Sequence, residues 1–309
     1  MVKQASSPVK QNEFSIWTVL AIVQSILWLF VLPDLCRPWW STFWAQVPSD
    51  MLKEVILNQA TTMTFISYGI FILPIYHIQH PFFEQFKILT NKKWPWLDES
   101  VEKRHSFWLQ TRKSIKLCLF NLLVFIPSIT LLYSYVSSKI GIEVTSYGDS
   151  DWPSKAELIR HNTLLTVIHE LGFHLAHRLM HSYPFLYKYH KVHHEYKSNV
   201  FLAAQHNHPV DYLISIAAPV VVAILIVRPH SITQSQWTIY TLFANLDDHV
   251  GYSFPWSPVR WFPGAGLTQE HEFHHCVNLG CYSSKLNIFE KLFKTDRHYL
   301  IWEQKQKRM

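Results

Sequence analysis

Charged side chains are scarce in this sequence. They account for 16% of its 309 residues, against roughly 25% in soluble globular domains. Hydrophobic residues account for 49% and aromatic residues for 15%. Such a composition leaves too little charge for the surface of an ordinary soluble protein, and it is typical of an integral membrane protein.

Cysteine and glycine are scarce as well, with 4 and 8 residues. Cys36, Cys118, Cys276 and Cys281 have neither the spacing of a disulfide framework nor that of a zinc finger. The sequence has no Gly-x-Gly-x-x-Gly loop that could hold a nucleotide cofactor. It also has no long basic tract, so the net charge of +6 favours a membrane surface with anionic lipid and argues against nucleic acid as a partner.

Long apolar runs, in contrast, are frequent. They cover residues 14–32, 60–76, 117–138, 162–180, 212–227 and 229–246. The first three are uncharged and long enough to cross a bilayer, and we expect a fourth span near residues 161–178. The last two follow each other closely and predict a hairpin or re-entrant pair. The expected fold is an all-α integral membrane helical bundle of about four spans plus a re-entrant helical hairpin.

The distribution of basic residues predicts the orientation of the spans. The loop at residues 80–116 is rich in lysine and arginine, whereas the loop after the third run is not. This difference places the basic loop, and with it the N-terminus, in the cytosol. The C-terminal sequence "KQKRM" resembles a dilysine retrieval signal. We therefore expect a multi-pass protein of the endoplasmic reticulum membrane with both termini in the cytosol.

Histidine is the residue that the sequence has in excess, with 19 in all. Eight of them form three groups in the sequence, called histidine boxes below. The first box is His177 and His181, the second is His190, His193 and His194, and the third is His271, His274 and His275. Residues three or four apart lie on one face of a helix, so each box can direct its imidazoles at one point. Neutral imidazole binds iron, zinc, copper and nickel. Eight imidazoles exceed the roughly four to six ligands of one ion, so we expect two ions in a cytosolic cap.

Six carboxylates lie close in sequence to these histidines and are candidates for fixing imidazole tautomers. They are Glu170, Asp211, Asp247, Asp248, Glu270 and Glu272. Each could equally be an ordinary solvated charge, and the sequence leaves the two alternatives open.

The three histidine boxes, in this order and between apolar runs, resemble those of the fatty acid hydroxylase/sterol desaturase superfamily. The resemblance covers about residues 160–300. It implies an integral membrane di-iron enzyme that uses O2 to attack unactivated C–H bonds of lipids. Zinc can replace iron on expression because imidazole sites discriminate poorly between the two. The chain then divides into an N-terminal transmembrane region, residues 1–150, and a fatty acid hydroxylase-like catalytic region, residues 151–309.

Further stretches resemble sterol enzymes of this superfamily. "HRLMH", "HKVHHEY" and "HPVD" are similar to segments of the sterol C-4 methyl oxidases, and "DHVGYSFPWSP" resembles both these oxidases and the cholesterol 25-hydroxylases. "GCYSSKLNIFEKLFKTD" resembles their closing segment, with Lys294 in place of the usual glycine. Carried over by position, the resemblance implies ten metal ligands. They are His177, His181, His190, His193, His194, His208, His249, His271, His274 and His275.

The sequence departs from relatives in the superfamily at two positions. Many of them have a further histidine where this chain has Glu270, and sterol C-5 desaturases usually have a histidine at the position of Gln205. The second departure argues against a desaturase. The absence of a His-Pro-Gly-Gly motif near the N-terminus argues against a fatty acid 2-hydroxylase with its own cytochrome b5-like domain.

The implied function is O2-dependent oxidation of a sterol C-4 methyl group. Electrons from NAD(P)H would arrive through a partner, for which the resemblance names cytochrome b5 and/or its reductase. The alternatives are a cholesterol 25-hydroxylase-like or other lipid hydroxylase, and a non-catalytic membrane lipid sensor whose histidines hold zinc. A metal transporter fits least well, because the histidines flank the spans at one face and do not line a path across the membrane.

Overall fold

The computed structural model describes residues 15–90, 92–262 and 264–308, with side chains up to residue 305. These residues form helices and three isolated β-bridges, and none of them forms a strand. The principal helices are α1 (Ile16–Ala45), α2 (Asp50–Ile78), α3 (Val101–Lys139), α4 (Lys155–Ser182), α5 (Pro184–His190), α6 (Pro209–Val227), α7 (Ser231–Asp248), α8 (Thr268–Val277), α9 (Ile288–Phe293) and α10 (Arg297–Arg308). The all-α expectation is confirmed.

Among the described residues, four helices are long and apolar enough to cross a membrane, namely α1, α2, α3 and α6. The expected number of spans is therefore found, but one member differs. The run at residues 162–180 lies in α4, which is not among the four, and α6 contains the run at 212–227. Only three residues, Arg228, Pro229 and His230, separate α6 from α7, so the expected helical hairpin is present.

Three of the candidate spans contain a π-helical segment, and proline explains where each segment lies. The segments are Leu27–Val31 in α1, Asn121–Phe125 in α3 and Tyr212–Ala217 in α6. Each ends two residues before a proline, at position 33, 127 or 219. Proline has no N–H to offer the carbonyl four residues earlier. The preceding turn therefore widens, and the helix continues beyond it.

The candidate spans turn apolar side chains outward and small polar side chains inward. On α3, Leu123 and Leu132 are 54% and 63% exposed, whereas Ser114, Asn121 and Thr130 are at most 3% exposed. Small and polar residues allow helices to approach closely and hydrogen-bond within a bilayer, while lipid covers the outer apolar surface. This arrangement is typical of membrane helices.

Helix α4 packs along α6 and α7, and this packing fixes the positions of the histidine boxes. Beside it, Tyr76 of α2 connects two loops of the histidine region. Its hydroxyl donates a hydrogen bond to the Val250 carbonyl at 2.7 Å and accepts one from the Phe201 amide at 3.2 Å. The membrane-spanning part and the histidine region are thereby joined by hydrogen bonds as well as by packing.

A buried guanidinium joins the end of α7 to the segments around α8. Arg260 is 6% exposed, and its Nε donates to an Asp247 oxygen at 3.0 Å while a terminal nitrogen pairs with Asp248. Another terminal nitrogen donates to the Gly266 and Ser284 carbonyls, both at 2.9 Å. One side chain therefore donates hydrogen bonds to two carboxylates and two loop carbonyls.

Replacing this side chain should destabilise the protein strongly. We expect Arg260→Met to lower the free energy of unfolding by about 3–5 kcal/mol, because it leaves two buried carboxylates without their cation. The apparent Tm of the protein in detergent measures the effect. The matched control is Arg37→Met, which removes a half-exposed pair with Asp149 and should hardly change the Tm. Equal Tm values for the two variants would contradict the structural role of Arg260.

Candidate metal centre

The structure brings nine histidines into two adjacent clusters. His177, His181, His190, His194 and His274 form the five-histidine cluster, and His193, His249, His271 and His275 form the four-histidine cluster. Within each cluster, one ring nitrogen of every member lies within 4.8 Å of those of the others. The clusters adjoin each other, since the His194 and His275 ring centroids are 4.6 Å apart. Two neighbouring ion sites therefore fit the arrangement.

The clusters do not follow the boxes in the sequence. His193 and His194 are consecutive, yet they lie in different clusters, because the short 3₁₀ turn His193–Glu195 points them in different directions. On α8, His271 and His275 are four residues apart and share one cluster, while His274 belongs to the other. The second and third boxes each supply histidines to both clusters.

Five of the nine rings are held in a fixed orientation by a hydrogen bond from Nδ1. The acceptors are the Tyr282 carbonyl for His177 (2.8 Å), the Asp211 carboxylate for His190 (2.9 Å), the Asn245 carbonyl for His249 (2.7 Å), the Gly280 carbonyl for His274 (2.6 Å) and the Tyr196 carbonyl for His275 (3.1 Å). Burial lowers the pKa of His177, His249, His274 and His275. With the proton on Nδ1, the Nε2 of each of these four neutral rings presents a lone pair.

Ring nitrogens within each cluster face one another. The Nε2 atoms of His177 and His190 are 3.1 Å apart in the five-histidine cluster, and those of His249 and His275 are 3.2 Å apart in the four-histidine cluster. Both Nε2 atoms of the His249–His275 pair are acceptors, and two acceptor nitrogens at this distance repel unless a cation lies between them. Metal–nitrogen bonds of about 2.0–2.2 Å place neighbouring ligand nitrogens about 3.0–3.4 Å apart. Each cluster thus has the spacing of one metal ion's ligands.

Protonation does not relieve the repulsion at neutral pH. Burial lowers the pKa of His193, His194, His271, His274 and His275 well below the usual value, and neighbouring imidazoles lower it further. Burial also lowers the pKa of His249, to about 4. These rings are therefore neutral at pH 7, the form in which imidazole binds a metal.

Nine of the ten predicted ligands lie in the clusters, and His208 does not. The Nδ1 of His208 accepts a hydrogen bond from the Val210 amide at 3.1 Å, at the start of α6, and its ring packs on Tyr189. Glu270, which replaces a histidine of many relatives, is also outside both clusters. Its carboxylate accepts a hydrogen bond from the Leu267 amide at 2.9 Å and caps α8.

Of the six candidate carboxylates, Asp211 accepts a hydrogen bond from a clustered histidine. Glu170 instead pairs with Lys285 at 3.0 Å, and Asp247 and Asp248 pair with Arg260. Glu272 accepts a hydrogen bond from the Asn199 amide at 3.4 Å, and burial raises its pKa to about 7. Asp211, the aspartate of "HPVD", is therefore the candidate carboxylate that orients a clustered imidazole among the residues described.

The sequence analysis missed the backbone carbonyls that orient four of the rings. One of them left a signal, namely Gly280 in a chain with only 8 glycines. Its φ is +71°, and a Cβ there would lie 2.3 Å from the Thr295 carbonyl oxygen. Only glycine fits this turn, which presents the Gly280 carbonyl to His274.

Two neighbouring cavities lie at the clusters and share lining residues. The apolar cavity lies between α2, α3, α4, α6 and α7, with walls that include Ile126, Val220, Ile224, Trp237 and Leu242. The histidine cavity is bordered by His177, His190, His193, His249 and His271. The two share Phe173, Ile216, Asn245 and Ser284 as lining residues. An apolar molecule in the first cavity can therefore present one end to the histidines.

Comparisons with known proteins agree with this geometry. A family model described as fatty acid hydroxylase matches residues 163–295. Chicken methylsterol monooxygenase 1 is 29% identical over 245 residues, which cover 78% of this chain and 77% of that protein. A Dictyostelium discoideum relative that carries the methylsterol monooxygenase name is 30% identical over 216 residues, covering 70% of this chain and 74% of its own. A rice very-long-chain aldehyde decarbonylase is 29% identical over 194 residues, covering 62% and 70%. No solved structure matches the chain.

The two clusters predict two metal ions per chain. We expect elemental analysis of the purified protein to give two ions, of iron or of zinc in its place, with metal–nitrogen distances of about 2.0–2.2 Å by X-ray absorption. His274→Ala and His275→Ala should each lower the metal content. His208→Ala should leave it at two, because His208 lies outside both clusters. One ion or none in the parent protein would contradict the prediction.

Proposed function

The chain belongs to the fatty acid hydroxylase family, and on this premise we propose that it is a membrane di-iron sterol monooxygenase that oxidises a C-4 methyl group. The observation that carries the proposal is an apolar cavity that shares four lining residues with the cavity at two adjacent histidine clusters. Relatives named methylsterol monooxygenase cover most of this chain. A sterol is a rigid apolar molecule, and a cavity with aliphatic and aromatic walls matches it.

The nine clustered histidines would hold the two iron ions. When bound, the iron pair supplies activation of O2 for insertion of oxygen into a C–H bond. The protein's own contribution is orientation: four backbone carbonyls and Asp211 hold the Nδ1 protons, so that Nε2 lone pairs point into the clusters. Phe173 and Ile216 border both cavities. They would position the methyl group and exclude water from the reacting carbon.

Electrons are proposed to come from NAD(P)H through cytochrome b5 and/or its reductase. The chain has no Gly-x-Gly-x-x-Gly loop of its own for a nucleotide cofactor. A partner that delivers electrons from the cytosol would reach the clusters from the side opposite to the bilayer.

We expect the histidines of both clusters to be required for turnover. His193→Ala and His274→Ala, one from each cluster, should each abolish conversion of a 4-methylsterol, since losing one ligand alters the geometry and potential of the pair. The assay uses membranes with NAD(P)H and an electron-transfer partner. Glu270→Ala should keep substantial activity, because Glu270 caps α8 and lies outside both clusters.

All variants must accumulate in the membrane to the level of the parent protein. If both histidine variants oxidise the sterol as fast as the parent, the oxygenase proposal fails. If the parent protein is inert on 4-methylsterols but oxidises the cholesterol side chain or converts a long-chain aldehyde, the metal centre stands and the substrate assignment fails.

We also propose residence in the endoplasmic reticulum membrane with both termini in the cytosol. A C-terminal tag should be accessible to a protease from the cytosolic side of sealed microsomes. A protected tag would overturn the proposed orientation.

A further inference from the structure

One of the nine clustered histidines keeps part of its side chain at the surface of the protein. His181 is half-buried, whereas the other eight are buried. Its ring centroid is 4.6 Å from that of His190 and 4.7 Å from that of His274, so it belongs fully to the five-histidine cluster. Among the described residues, His181 is therefore the clustered histidine that a second molecule can approach most closely.

The ring of Tyr187 packs against His181 and connects it to the end of α8. The two ring centroids are 5.7 Å apart, and Tyr187 is itself half-buried. The Asn278 side-chain amide donates a hydrogen bond to the Tyr187 hydroxyl. Val277 and Leu279, the two sequence neighbours of Asn278, have exposed apolar side chains. The surface beside His181 therefore includes exposed apolar groups.

The charged side chains near these contacts are basic and exposed. Arg178 lies on α4, three residues before the half-buried histidine. It is close enough to Tyr282 to act on its hydroxyl electrostatically, and the Tyr282 ring centroid is 5.3 Å from that of the same histidine. Lys188 follows Tyr187 in α5, and the Lys191 amide donates to the Tyr187 carbonyl at 2.8 Å.

No carboxylate pairs with these three cations in the described part of the chain. Residues 178–191 and 276–282 contain no aspartate or glutamate. Elsewhere on the surface, by contrast, Lys93, Lys103 and Lys113 each pair with a carboxylate. The region around the half-buried histidine thus combines unpaired positive charge with apolar groups. We call it the His181 surface, and its members are His181, Arg178, Lys188, Lys191, Val277 and Leu279.

We propose that the His181 surface is the docking site of an acidic one-electron carrier protein, and that electrons enter the metal centre here, at the five-histidine cluster. This inference rests on the proposed function and specifies where its electron-donating partner binds. Complementary charge steers such encounters, and electron-transfer complexes bury small interfaces. In each transfer the cofactor of the carrier is oxidised by one electron and one metal ion is reduced by it, and no bond forms or breaks.

The position of His181 favours this occupant over a lipid surface. Anionic lipid also attracts a surface of basic and apolar side chains. Lipid at this place would cover the one half-buried histidine of the described clusters, and a carrier could then approach only buried rings. Because electron transfer slows steeply as the separation grows, the carrier is expected to bind where a clustered histidine is nearest to the surface.

Binding of a carrier to the purified full-length protein tests the His181 surface without sterol turnover. The probe is the oxidised soluble haem domain of cytochrome b5, an acidic protein, and the Kd is measured by titration in detergent. We expect binding by the parent protein to weaken as salt is raised, because salt screens exposed charges. Arg178→Glu, Lys188→Glu and Lys191→Glu should each raise the Kd by about fivefold or more.

Lys103→Glu is the matched control. It reverses the same charge on an exposed side chain that pairs with Asp98 at 3.3 Å, outside the His181 surface, and it should leave the Kd unchanged. Every variant must keep the metal content and Tm of the parent protein. Where a reversal lowers either, Lys188→Gln and Lys191→Gln replace it, and each should raise the Kd by about two- to threefold. Charge variants that bind the carrier as tightly as the parent, or an equal weakening by Lys103→Glu, would overturn the proposal.

Cross-linking locates the carrier directly. A zero-length carbodiimide joins a lysine amine to a carboxylate in contact with it, and mass spectrometry identifies the lysine. We expect cross-links from the carrier to Lys188 and Lys191 and none to Lys103. Cross-links confined to lysines outside the His181 surface contradict the docking site.

A titration in phosphatidylcholine nanodiscs tests the lipid alternative. The carrier should bind the protein in these neutral bilayers about as tightly as in detergent, because the His181 surface faces the cytosol. Binding in detergent that is lost in the nanodisc means that lipid covers this surface, and it overturns the proposal.

Turnover separates the docking surface from the proposed function. Oxidation of a 4-methylsterol with electrons from the carrier, together with charge variants that bind it as the parent does, overturns the docking surface and leaves the proposed function standing. Carrier binding that the charge variants lose, without oxidation of any 4-methylsterol, supports the docking surface and overturns the proposed function. Oxidation together with binding that the charge variants lose supports both.

Discussion

The structure depends on one constraint, which is that buried neutral imidazoles face each other with unshared electron pairs at about 3 Å. The His249–His275 pair shows it most directly, because both rings donate their Nδ1 protons to backbone carbonyls while their Nε2 atoms are 3.2 Å apart. Without a cation the arrangement is repulsive, and with one ion in each cluster the same lone pairs become ligands. A metal ion bound between such lone pairs would therefore stabilise this region of the fold.

Holding the rings in this orientation requires support from distant parts of the chain. The acceptors for His177 and His274 are carbonyls of the loop after α8, and the same region is held to α7 by Arg260, which donates to the Ser284 and Gly266 carbonyls. Four Nδ1 acceptors are backbone atoms whose positions depend on loop conformation. The buried ion pairs Arg260–Asp247 and Lys285–Glu170 thus act on the metal centre indirectly, by fixing the loops that carry these carbonyls.

Local patterns in the sequence predicted the helices, the hairpin of α6 and α7, and the boxes that approach one another. They could not predict how the boxes divide, because that depends on which helix face meets which neighbour across some 80 residues of chain. His193 and His194 are adjacent in sequence and lie in different clusters. His208 has the right residue type beside a box, but it caps α6. Backbone carbonyl acceptors leave no signature in the sequence, except where Gly280 is required by a left-handed turn.

Helix α4 carries both apolar and metal-binding types of side chain, because it packs on the candidate span α6 and also contributes to the five-histidine cluster. Its middle carries Leu165 and Ile168, which pack in one apolar cluster with Ile224 of α6, whereas its last turns carry His177 and His181. The fourth apolar run resembled a membrane span in the sequence because the residues before Glu170 are uncharged and mostly apolar. Helix α6 is more apolar than α4.

The π-helical segment of α6 before Pro219 supplies Tyr212, Ile216 and Ala217 to the apolar cavity. Because α6 and α7 form a hairpin, His249 at the end of α7 returns to the level of Asp211 at the start of α6. The apolar cavity therefore lies beside the candidate spans α2, α3 and α6 and shares lining residues with the histidine cavity, which sets the nine clustered histidines next to an apolar space.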